Sequence, residues 1–176
     1  MARDPFIDQV EQKRKEALDR IRAIRISAVI WGPAPTSMTP LALARAELRR
    51  ALESDGHLVH YSEDLYDATI PHSLAAQQIA DVESHDVTFS LPDSAGSIAE
   101  IHDFCRIPSI ATKIVTFINE DQSAGYSNST LLQIVSIATA RMQLYKTCDL
   151  PGCIIEKSRD MVRRLQELYY FLGRRF

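Results

Sequence analysis

The chain is predicted to be an α/β protein, Rossmann-like or flavodoxin-like, with a parallel sheet carrying helices on both faces. Three observations predict this. Short apolar runs of strand character recur at Ile24–Trp31, His57–Tyr61, Asp86–Leu91 and Lys113–Ile118. The segments between them place apolar residues at helical spacing. Ala28-Val-Ile-Trp31 is apolar at consecutive positions, as expected of a central strand covered on both sides. Strand, crossover and helix units of this size imply a parallel sheet, because right-handed crossovers pack back onto it.

The elements follow in order. From Pro5 to about Ala23, Ile7, Val10, Ala17, Leu18 and Ile21 fall at helical spacing among many charges, which predicts an amphipathic helix laid against the core or a partner. Residues 1–23 are read as this helix, and 24–176 as a single α/β nucleotide-binding domain. The β-branched run Ile24–Trp31 is the first core strand. After Gly32-Pro-Ala-Pro, Thr39-Pro40 is a favourable N-cap and N1 pair for a helix carrying Leu41, Ala44, Leu48 and Leu52, ended by Asp55-Gly56. His57–Tyr61 is the second strand, and Ser62–Asp67 the loop at its carboxyl end. Ser73 to about Ser84 is a helix feeding the strand of Val87, Phe89 and Leu91, which Pro92 closes. A helix starting near Ser97 runs to a boundary at Pro108. Lys113–Ile118 is a further strand, and Asn119–Tyr126 the loop at its carboxyl end. A helix from about Ser129 to Arg141, an edge strand from Met142 to Thr147, and a last helix from Ile155 to Leu172, stopped by Gly173, complete the chain.

Composition narrows the function. The 176 residues suffice for one domain with a real core, and the net charge of −3 makes no electrostatic case for nucleic acid or an anionic membrane as partner. Basic residues near the two ends read as solvated helix faces. The Met-Ala-Arg-Asp-Pro start lacks an apolar signal core and no apolar run approaches a bilayer-spanning length, so a cytoplasmic protein is expected. The three cysteines, Cys105, Cys148 and Cys153, lack CxxC spacing and indicate neither a disulfide framework nor zinc. The histidines show no metal spacing. Gly32-Pro-Ala-Pro lacks the glycines of GxGxxG, which removes support for a hydride-transfer dehydrogenase.

In parallel α/β sheets ligands sit outside the carboxyl ends of the strands, where strand order switches. That edge collects Trp31, Gly32, Asp64, Asp93, Ser94, Gly96, Ser97 and Asn119. Ser94-Ala-Gly-Ser97 offers small residues between a strand and a helix, so its amides and the helix dipole suit a phosphate or carboxylate. Glu100 is carried near the same spot. Breaking an N-glycosidic bond develops positive charge on the sugar, and a carboxylate under the anomeric carbon stabilises that charge or traps the sugar. Trp31 suits base stacking, and Asn119 or Asp64 suits ribose hydroxyls. Each residue has a plainer reading. Ser97-Ile-Ala-Glu100 also fits an S-x-x-E capping box, Trp31 a core position, and Asp86 a turn or cap entering its strand.

The stretch from Gln77 to Ile101, QQIADVESHDVTFSLPDSAGSIAEI, resembles the core of the nucleoside 2-deoxyribosyltransferase family and its relatives. Those relatives include the NAD-degrading effectors of bacterial retron and other anti-phage systems, and the nucleotide-binding SLOG domains. The shared pattern is a helix, an Asp opening an apolar strand, a loop with a Gly-Ser or Gly-Thr pair, and a Glu three residues after it. The resemblance implies that Glu100 is the nucleophile or charge stabiliser at the ribose anomeric carbon. Six positions before that Glu the transferases carry an acidic residue, where this chain has Ser94; Asp93 is the available substitute. The implied activity is cleavage of the N-glycosidic bond of NAD or a related nucleotide as substrate, with no cofactor and no metal, under control by self-association or a partner protein. Two alternatives are a SLOG-like sensor without turnover and an assembly subunit in which Glu100 only caps its helix.

Overall fold

A computed structural model describes residues 5–34, 36–122 and 141–173. Its centre is a five-stranded, all-parallel sheet in the order β2-β1-β3-β4-β5. The strands are β1 (Ser27–Trp31), β2 (Leu58–Tyr61), β3 (Val87–Ser90), β4 (Ile114–Asn119) and β5 (Arg141–Tyr145). Helices α1 (Pro5–Arg22), α2 (Pro40–Ser54), α3 (Ser62–Leu65), α4 (Leu74–Ser84), α5 (Ala95–Phe104), α6 (Pro108–Ala111) and α7 (Gly152–Leu172) connect and cover them. The order is that of the flavodoxin-like sheet, as the sequence predicts, and its direction reverses between β1 and β3.

Side-chain alternation sends the central strands β1 and β4 to cores on both faces of the sheet. Ala28, Ile30, Phe89 and Phe117 face a core closed by Leu48 and Leu52 of α2 and by Ile154, Met161 and Leu165 of α7. On the other face Val29, Trp31 and Ile114 meet Val82, Phe104 and Ile110. Each fully buried Leu, Ile or Phe contributes roughly 1.5–3 kcal/mol, so two filled faces hold the sheet between its helices. The caps follow the sequence. Thr39 accepts the Ala42 amide at the start of α2, and Ser73 accepts the Ala76 amide at the start of α4. Gly173 closes α7 with φ 66°, a left-handed position that favours glycine.

Asp86 explains how the sheet edge is tied. Its Oδ2 accepts from the Ser27 amide and hydroxyl at 2.7 and 2.8 Å, and its Oδ1 accepts the Tyr169 hydroxyl at 3.0 Å. It therefore joins the starts of β1 and β3 to α7, at the end of the sheet opposite the strands' carboxyl ends. The C-terminal end of α1 also leans on α7, where the Gln166 side-chain amide donates to the Arg22 and Ile24 carbonyls.

Several boundaries differ from the sequence expectation. The segment after β2 is not a plain loop, since Ser62–Leu65 turns into α3. Helix α5 begins at Ala95, ahead of the expected start near Ser97. Pro108 opens the one-turn helix α6, being pre-organised for a first helical position. Arg141, expected at a helix end, opens β5, which pairs parallel with β4 from Val115↔Arg141 to Asn119↔Tyr145. The helix expected from about Ser129 lies outside the described residues.

Candidate functional site

The loops that leave β1 and β3 diverge at the reversal of strand order, and a cleft of about 580 Å³ opens between them. Its lining comes from four places. Trp31 ends β1 and Gly32 follows it; Leu91, Pro92 and Asp93 follow β3, with Ser97, Glu100 and Ile101 on α5; Ser62, Glu63 and Tyr66 belong to the segment after β2; Leu74 and Gln78 come from α4. Of the residues predicted from sequence, Trp31, Gly32, Asp93, Ser97 and Glu100 are brought together here.

Gly32 allows the two loops to touch. A Cβ at this position would stand 3.1 Å from the Leu91 carbonyl oxygen and 3.3 Å from Arg45 Cδ. Trp31 is 8 % exposed and tilts against Phe104 with ring centroids 5.1 Å apart, so it belongs to the core while one edge lines the cleft.

Helix α5 determines what Glu100 can do. Ser94 is the N-cap, its Oγ accepting the Ser97 amide at 3.2 Å, while Ser97 Oγ accepts the Ser94 amide at 3.1 Å. The capping box is therefore Ser94 with Ser97, and Glu100 stands one turn beyond it. Ser97, Glu100 and Ile101 are spaced i, i+3 and i+4, the spacing of one helix face, and that face borders the cleft. Neither Glu100 nor Asp93 has a hydrogen-bonding or ion-pairing partner among the described residues. The capping box also takes up the amides of Ser94 and Ser97 that the sequence offered to a phosphate. Ser94 and Gly96 do not line the cleft.

The opposite wall is built on a buried guanidinium. Arg45, on α2, is fully buried and donates to the Ile30 carbonyl at 2.7 Å, to the Pro33 carbonyl at 2.8 Å, and to both Glu63 oxygens at 2.8 and 2.6 Å. It also lies 4.3 Å from the Tyr61 ring centroid. One side chain thus fixes the end of β1, the loop beyond it and the first turn of α3. Burial would push the Glu63 carboxyl up, but the Arg45 hydrogen bonds and charge outweigh it and hold the group below its usual value.

Two predicted residues point elsewhere. Asp64 follows Glu63 by one position, roughly 100° around a helix, and faces away. It accepts from Arg49 at 2.6 Å and from the Tyr61 amide at 3.2 Å. Asn119 is used locally, donating to Thr147 Oγ1 and accepting the Asp121 amide, each at 3.0 Å. Glu63, Ser62, Tyr66 and, from α4, Leu74 and Gln78 are lining residues that sequence reasoning does not find. The sequence places the Ser62–Asp67 segment at this edge with Asp64 as its acid, whereas the structure turns Glu63 to the cleft.

At the carboxyl end of β5 the pKa of the Tyr145 hydroxyl is pushed up by burial, with Cys153 and Asp93 adding to the effect. Among the described residues no group of three His, Cys, Asp or Glu side chains is arranged to hold a metal ion, and no helix is long and apolar enough to cross a membrane. No protein-family model matches the chain and no curated protein matches it.

Proposed function

We propose that this protein is an N-glycosidase, or a deoxyribosyltransferase-like enzyme, that breaks the bond between a base and its sugar in NAD or a related nucleotide or nucleoside. One observation supports it above the others: Glu100 is released from helix capping by the Ser94–Ser97 pair and lines the cleft at the strand-order reversal. A carboxylate so placed opposes the positive charge that grows on the anomeric carbon as the C–N bond lengthens. The bonding electrons leave with the base. Water oxygen then bonds to the anomeric carbon, and Asp93 or Glu100 takes the water's proton. In a transferase, Glu100 first bonds to the sugar and a second base displaces it.

Destroying a central metabolite calls for restraint, so the proposal includes control by self-association or a partner protein in the cytoplasm. Ile7, Val10 and Leu18 support it, being 46 %, 38 % and 46 % exposed on α1. The test of the activity is chromatography of NAD and a nucleoside panel after incubation with wild type and Glu100→Gln. Base release abolished by the substitution sustains the proposal, and equal release by both proteins ends the role of Glu100. A SLOG-like sensor would bind without any release.

A further inference from the structure

NAD, its mononucleotide and its nucleoside share one scissile bond, and the chemistry at Glu100 does not choose among them. The charges around the cleft do. Among the described residues, Asp93 and Glu100 line it without a hydrogen-bonding or ion-pairing partner, and no lysine or arginine lines it. Residues 123–140 contain no charged side chain, so that stretch of sequence adds no cation wherever it lies.

The nearby guanidiniums are already committed. Arg45 is fully buried against two carbonyls and Glu63, which neutralises that third carboxylate. Arg49 is paired with Glu53 and Asp64. Of the amides at the start of α5, those of Ser94 and Ser97 are taken up by their reciprocal capping. A phosphate brought into this cleft would meet two carboxylates and no compensating cation. A cation meets the reverse: two carboxylates, with the aromatic rings of Trp31 and Tyr66 also in the lining.

Resting on the N-glycosidase reading, we infer that the cleft takes a phosphate-free, positively charged N-riboside of the pyridinium type, and discriminates against phosphorylated forms carrying the same bond. Nicotinamide riboside and nicotinamide mononucleotide differ only in the 5′-phosphate. At low ionic strength kcat/KM for the riboside should exceed that for the mononucleotide about tenfold or more, and the gap should shrink in about 0.5 M salt. Asp93→Asn should narrow it as well.

Binding is read separately from turnover. Trp31 is the only tryptophan of the chain and lines the cleft, so its fluorescence reports ligand entry. The riboside should quench at lower concentration than the mononucleotide, and also than the reduced dihydronicotinamide riboside, which has the same outline without the positive charge. If no glycoside is cleaved, the enzymatic reading falls, and the fluorescence titrations still decide the charge selection. A mononucleotide bound or cleaved as well as the riboside overturns the inference and leaves the enzymatic reading standing. A reduced riboside bound as tightly as the cation overturns it equally.

Discussion

The two walls of the cleft are built by opposite means. On the α2–α3 side the acid, Glu63, is held by a buried arginine whose other donors grip the end of β1 and the loop after it. On the α5 side Asp93 precedes, and Glu100 rests on, a helix that caps itself with two serines, and neither acid has a hydrogen-bonding or ion-pairing partner among the described residues. A carboxylate with two hydrogen bonds to a guanidinium is pre-organised but chemically occupied. One without partners can meet charge that develops on a substrate. Structure and chemistry are thus divided between walls a few residues apart in space and far apart in sequence.

The largest effect expected from breaking this division is on stability, at Arg45. Arg45→Met should lower the unfolding free energy by about 3–5 kcal/mol, since it strands the Ile30 and Pro33 carbonyls and the Glu63 carboxylate together. Urea unfolding measures it. A loss below about 1 kcal/mol would mean that the guanidinium is not what holds this wall. Glu100→Gln should do the converse, reducing base release about a hundredfold or more, near 2.7 kcal/mol of transition-state stabilisation, with an unchanged unfolding midpoint. Comparable losses of stability in the two variants would erase the distinction between the walls.

The difference between the walls also marks where sequence reading reaches its limit. The sheet was legible because its signals are local: apolar runs at β1 and β4, the Thr39-Pro40 cap, the Ser73 cap and the Gly173 stop all act within a turn or two of themselves. Glu100 was legible for the same reason. Arg45 was not, because in the run Ala-Arg-Ala-Glu-Leu-Arg-Arg it looks like any charged helix position, and its burial is decided by Glu63, eighteen residues on. The sequence offers Asp64, but Glu63 beside it on the helix points in a different direction, and no local signal says which one faces the sheet edge. The start of α5, expected near Ser97, falls at Ala95 because Ser94, three residues earlier, is also a good cap and accepts the Ser97 amide.

Glu63 sharpens the comparison through pH. Its folded value lies below the ordinary 4.5, so the unfolded chain binds the proton more readily. The stabilisation is complete above that ordinary value and is lost as pH falls through the lower folded one. Glu63→Gln should cost about 1–2 kcal/mol at neutral pH, by weakening the hydrogen bonds to a buried charge, and should flatten the acid limb of the stability curve. The wild-type-minus-variant difference, followed by urea unfolding from pH 7 to pH 3, should therefore shrink toward the acid end. A difference that stays constant over that range would show that the Arg45–Glu63 pair does not set the titration.

The smallest effect belongs to Ser94, and it separates capping from ligand binding on the α5 wall. Ser94 Oγ accepts the Ser97 amide and does not line the cleft. Ser94→Ala should therefore lower stability by about 1 kcal/mol, the ordinary loss for a removed N-cap. Ser97 would retain its own hydroxyl while losing the partner of its amide, so the first turn of α5 should show faster amide exchange than the rest of the helix. Ligand-induced quenching of Trp31 should keep its midpoint within about twofold, since no hydrogen bond to the ligand has been removed. The opposite pattern, stability unchanged and ligand affinity down about tenfold, would return Ser94 to the role of an anion ligand. The charge selection inferred for the cleft would then lose one of its supports, because an amide and hydroxyl pair free to hold phosphate would stand beside Asp93 and Glu100.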